Sequence, residues 1–188
     1  MPQRQPVSAE AKTPIAHRRV ARAILLAAAV CIGAVPAVHA DALGRATAAY
    51  NQGDYVRAAR DLSLLAEHGN PKALGLLGFM YEHGFGAPQA YEAAADLYTQ
   101  GAVQGNPFAQ AMLGLMYDKG HGVPQDFILA YKWLDLAASR TRGRERDAYA
   151  RFRDAVASKM SRDEITVGPR LALNWTPVAF APVVRAPR

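Results

Sequence analysis

The chain has 188 residues, a formal net charge of +6 and one cysteine, Cys31. That length suits one domain with a core of its own, and residues 1–40 alone hold a net +4 of the charge. The remainder carries only +2, so the basic balance is no argument for nucleic acid, and a lone cysteine excludes a disulfide framework within the chain.

Residues 1–40 read as a signal peptide. Basic residues end at Arg22, an apolar run follows from Ala23 to Ala37, and Val38-His39-Ala40 forms a small-residue cleavage site before Asp41. The rival reading is an N-terminal anchor in the inner membrane, because the uncharged run is borderline for a bilayer core of about 30 Å. Pro36 and the cleavage-like site favour removal, and Val30 before Cys31 disfavours lipidation. The expected location is periplasmic or secreted, with no integral span and no thiolate left in the mature chain.

Residues 41–70 read as an N-terminal hairpin of tetratricopeptide type. A helix runs from Asp41 to Tyr50, Asn51-Gln52-Gly53-Asp54 makes a tight turn, and a second helix covers Tyr55 to His68. From Pro71 the text says one thing twice. Ala73, Leu77-Gly78, Met80-Tyr81, Gly84, Gly86 and Pro88-Gln89 return 36 positions later as Ala109, Leu113-Gly114, Met116-Tyr117, Gly120, Gly122 and Pro124-Gln125. A fixed period in the thirties marks a helical solenoid.

The joints between units repeat as well. In Gly69-Asn70-Pro71 and Gly105-Asn106-Pro107 the glycine can close one helix in the left-handed conformation. The asparagine can then cap the next helix, and proline fits its first position. Gly78 and Gly114 fall mid-helix, where glycine costs about 1 kcal/mol against alanine, and close approach of a neighbouring helix is the expected return. Asp126 is placed to cap the second helix of its unit, whereas its counterpart Ala90 cannot. The Gly-x-Gly loops lack a preceding strand and a Walker lysine, so they read as turns and not as phosphate cradles.

These residues resemble the Sel-one-like repeat family, relatives of the tetratricopeptide repeats: Ala-x-x-x-Leu-Gly-x-Met-Tyr, then Gly-x-Gly-x-Pro-Gln. Residues 71–106 match nearly throughout, and 107–140 match until Arg140-Thr141 stands where a closing glycine belongs. The resemblance implies an all-α, right-handed α-solenoid that serves as a protein-binding scaffold, often in the bacterial envelope, with no shared catalytic residues and no cofactor.

After Ala138 the repeat signature ends. Residues 141–175 read as C-terminal capping helices: one from about Arg144 to Lys159, then Ser161-Arg162-Asp163-Glu164 as a capping box opening a last helix. Gly168-Pro169 is expected to kink or split that helix. Residues 176–188, with three prolines, read as an extended, mobile tail.

No constellation for catalysis or metal binding stands out. His68, His83 and His121 have no ligand spacing, and no serine sits in a nucleophile elbow. Glu82 and Asp118 match between units and read as solvated carboxylates. Candidate partner-binding residues are Gly75, Phe79 and Glu82 with their mates Ala111, Leu115 and Asp118, which helical geometry turns away from the apolar stripe. In related solenoids such first helices line the concave face. Arg144, Arg151 and Arg153 form a candidate patch for an anionic partner. The reading is a non-catalytic, exported scaffold that binds another protein or peptide, with no nucleic acid. An envelope hydrolase, and a binder of anionic glycan or polymer, are the alternatives.

Overall fold

Side-chain caps set five of the helix starts, the last of them the Ser161 capping box. The structure, a computed structural model, describes residues 35–179, with side chains from residue 41. Among the described residues there are eight helices and no strand: α1 (Val35–Asn51), α2 (Tyr55–Glu67), α3 (Pro71–His83), α4 (Tyr91–Val103), α5 (Pro107–Lys119), α6 (Phe127–Arg140), α7 (Gly143–Ala157) and α8 (Arg162–Leu173). Asp54, Asn70, Asn106 and Asp126 each accept a bond from a free amide of the helix that follows. Ala90 makes no such bond. Each side-chain cap contributes about 1 kcal/mol.

Helices α3 and α4, and α5 and α6, pack as hairpins within a compact unit, Ala40–Arg188. The mid-helix glycines hold the hairpins close: a Cβ on Gly78 would meet the Tyr98 ring at 2.9 Å, and one on Gly114 would meet Leu134 Cγ at 2.8 Å. The large side chains fully buried among the helices include Tyr98, Leu62, Leu74, Met80, Leu113, Met116 and Leu134.

Four expectations need correction. First, α1 begins at Val35 and not at Asp41, so its backbone runs through the expected cleavage site; the rest of the leader lies outside the described residues. Second, the hairpin spacing outlives the signature. First helices begin at Val35, Pro71, Pro107 and Gly143, each 36 positions on, and α8 begins one residue short of the same register. The terminal pair keeps that spacing without closing another hairpin, because α7 and α8 each pack on α6.

Third, α8 is one helix through Pro169. Gly168 carries no Cβ to clash with the proline ring, and a Cβ there would meet the Tyr131 ring at 2.8 Å, so the same glycine lets α8 lie against α6. Fourth, the tail does not start free. The Trp175 ring meets Trp133 edge-on with centroids 6.0 Å apart, the Arg140 guanidinium lies 4.5 Å over it, and the Val178 N–H donates to the Val103 carbonyl at 2.8 Å. Residues 180–188 lie outside the described residues.

Candidate functional site

Helices α3, α5 and α7 share one face, and on it the six candidate residues divide. Gly75 and Ala111 are buried, and a Cβ on Gly75 would come within 3.1 Å of the Phe108 ring. Glu82 accepts a hydrogen bond from the Tyr98 hydroxyl at 2.8 Å. Burial, and then the Glu82 charge, push that phenol well above the usual tyrosine range. Asp118 receives the Lys159 ammonium at 2.7 Å, with only 14% of its side chain exposed. These four hold neighbouring helices together and do not face solvent as expected. Phe79 and Leu115 are half-buried, and Leu115 packs against the core between α5, α6 and α7.

The error is a rotation of roughly 60° about the helix axis, less than the 100° that separates neighbouring residues. The flank that α3 leaves outside its core is Lys72, Leu76, Phe79 and His83, of which Lys72 and His83 are exposed. A solenoid helix packs on its hairpin partner and on the next unit. Small residues at 75 and 111 were the available sign of that second contact.

On this face six rings, five of them half-buried, make an aromatic strip. Tyr55 stacks on Phe85 at 4.8 Å, Tyr50 lies 5.4 Å from Tyr55, and Phe79 stacks on the exposed His83 at 4.1 Å. Phe79 also lies 6.2 Å from Phe85 and from Phe108. Pairs of this kind contribute roughly 0.5–1.5 kcal/mol beyond their burial. The strip ends at a cup of about 290 Å³ between α3, α5 and α7, lined by Lys72, Leu76, Pro107, Phe108, Glu145 and Tyr149. Leu76, Phe108 and Tyr149 were missed in the sequence, because the last two belong to positions that carry no repeat signature.

The Gly-x-Gly loops are joints. Gly86 and Gly122 have φ of +73° and +67°, and a Cβ on either would strike the carbonyl of Tyr55 or Tyr91, the first residue of the preceding second helix. The arginine patch is divided too. Arg144 and Arg151 are exposed, but Arg153 donates to Asp135 and Asp154 at 2.8 Å each and lies 5.9 Å over the Tyr131 ring. Burial works against its charge, yet the hydrogen bonds from Asp135 and Asp154 carry its pKa above the usual arginine value. Among the described residues no three His, Cys, Asp or Glu side chains gather as a metal site.

The opposite face carries a larger groove, about 410 Å³, between α2 and α4. Leu74, Leu77 and Tyr81 of α3 form its floor with Leu97 of α4, and Glu67 and Asp96 stand at its rim.

Residues 71–106 and 107–141 match the family model of the Sel1 repeat. Two solved structures are similar. One is c5321, described as a protective antigen present in uropathogenic Escherichia coli strains and displaying an SLR fold (TM-score 0.66, 21% identity, 71% of this chain and 29% of that one). The other is a Sel1 repeat protein from Oxalobacter formigenes (TM-score 0.53, 27% identity, 68% of this chain and 53% of that one). The chain thus spans 29% and 53% of the length of these two proteins. No curated protein matches it.

Proposed function

We propose that this chain, which carries two Sel1 repeats, is an exported, non-catalytic scaffold that binds another protein through the face shared by α3, α5 and α7. Sel1 repeats commonly mediate protein–protein interaction, and Sel1 repeat scaffold proteins are generally non-catalytic. The observation that carries the reading is the aromatic strip from Tyr50 to Phe108, which leads into the cup at Leu76. Half-buried rings beside an apolar cup are what an extended or helical peptide can bury with little reordering of the host.

Glu82 and Asp118 are engaged by Tyr98 and Lys159, a helix-joining role that supports the scaffold reading over the hydrolase alternative. The signal-like leader supports the periplasm or envelope as the place of action, and no helix among the described residues is long and apolar enough to cross a membrane.

The test is capture of the partner from intact envelopes by the wild type and by Leu76→Glu, with folding checked by circular dichroism. Leu76 is preferable to Phe79 or Leu115, whose truncation would loosen helix packing as well. Loss of one specific captured protein on Leu76→Glu supports the reading, and unchanged capture contradicts it.

A second reading rests on Arg144 and Arg151, which are exposed and carry no ion pair among the described residues. An anionic polymer held there would dissociate as salt rises, and Arg144→Glu with Arg151→Glu would abolish its binding; binding that persisted through both would dismiss this reading.

A further inference from the structure

The seat of the tail has a register mate one unit earlier. Trp175 and Pro177 lie against the joint at Gly105, where a Cβ would be 3.6 Å from each. Trp175 also covers Trp133, and Val178 bonds to the carbonyl of Val103. Stepping back 36 positions turns Val103, Gly105 and Trp133 into Glu67, Gly69 and Leu97. Glu67 and Leu97 line the groove of about 410 Å³ between α2 and α4. The two seats thus share their position in the repeat but differ in charge, since Glu67 stands for Val103 and Asp96 for Lys132.

The chain beyond this seat repeats the pattern of the segment in it. Trp175-Thr176-Pro177-Val178 is followed, five positions on, by Phe180-Ala181-Pro182-Val183, and then by the cations Arg185 and Arg188. Aromatic-x-Pro-Val therefore occurs twice beside two equivalent seats, and the second copy carries the positive charge that the second rim calls for.

We propose that Phe180–Arg188 docks in the α2/α4 groove of its own chain, with Phe180 against Leu97 and the two arginines facing Glu67 and Asp96. The reach is sufficient. Five extended residues cover at most roughly 17 Å, while packed helices lie about 8–10 Å apart, and the seated segment already passes from Trp133 on α6 to Val103 on α4, the direction that leads to α2. The proline in each copy favours the extended form and lowers the entropy lost on docking.

A photoreactive benzoylphenylalanine at position 180 of the full chain tests this, with crosslinks mapped by mass spectrometry in an equal mixture of light and heavy isotope-labelled protein. The expected crosslinks fall on Tyr81 or Leu97 and join light to light and heavy to heavy. Crosslinks joining light to heavy would make a second copy the occupant, and crosslinks elsewhere, or none, would remove the seat; any of these overturns the proposal. Glu67→Lys with Asp96→Lys should lower the yield roughly fivefold, as two exposed ion pairs allow. Adding Arg185→Glu and Arg188→Glu should restore it. Failure to restore would overturn the pairing of rim and tail charges.

Discussion

The same substitution should have opposite effects at two glycines of this chain. Gly44 lies in the exposed middle of α1, with nothing within 4 Å of the place a Cβ would take. Gly44→Ala should therefore collect the helix-propensity gain alone, about 1 kcal/mol. Gly114 gains as much from propensity, but its Cβ would stand 2.8 Å from Leu134 Cγ and 3.0 Å from the Ala130 carbonyl oxygen. Leu134 is fully buried and the carbonyl belongs to the backbone of α6, so relief requires α5 and α6 to part. Overpacking of this kind costs about 1–3 kcal/mol, which leaves Gly114→Ala destabilised by roughly 1 kcal/mol. Urea unfolding should show the midpoint rise for Gly44→Ala and fall for Gly114→Ala with slopes unchanged; in heating, each shift should be roughly 3 °C. A higher midpoint for Gly114→Ala would refute the claim that close helix approach is what the repeated Leu-Gly secures.

Gln110 is fully buried, with its amide donating to the Ala102 carbonyl at 3.1 Å and its Oε1 without a partner. Its register mate is Leu74, and the Ala102 carbonyl also accepts from the Gly105 N–H, so Gln110→Leu should raise stability by about 1 kcal/mol in chemical unfolding. Ala90 has nearly the same backbone angles as the capping Asp126, so Ala90→Asp should add about 1 kcal/mol, read as a higher melting temperature. Glu164 is held below the usual carboxylate range by the Ser161 backbone N–H and hydroxyl. A lowered folded pKa means that the stabilisation is complete above the ordinary value of 4.5 and is lost as pH falls through the folded one. Amides of α8 should lose hydrogen-exchange protection on acidification in the wild type, and Glu164→Gln should remove that dependence.

Much of the fold was legible because its signals are local. Asn70, Asn106 and Asp126 announce helix starts through short-range hydrogen bonds, and Gly78 and Gly114 announce contact through an otherwise unfavourable residue. The binding face was harder to read. Periodicity fixes one buried stripe, but a solenoid helix also buries a flank against the next unit, and Gly75 and Ala111 belong to it. Glu82 and Asp118 looked solvated because their partners, Tyr98 and Lys159, lie on other elements. The last two helices were hidden for a different reason. Gly143 keeps the spacing of the repeat and Arg162 falls one residue short of it, but α7 fully buries only Val156, so the apolar signature is gone while the spacing nearly persists. The seating of Trp175 depends on Trp133 and Arg140, a long-range contact that no window of sequence contains.

The most direct test of the scaffold account is to place a photoreactive residue at His83, on the edge of the aromatic strip, and separately at Arg60, an exposed position on α2, and to irradiate the producing cells. The account predicts a discrete crosslinked partner protein from position 83 and none from position 60. The same partner from position 60 with none from position 83 would place binding on the other face and contradict it.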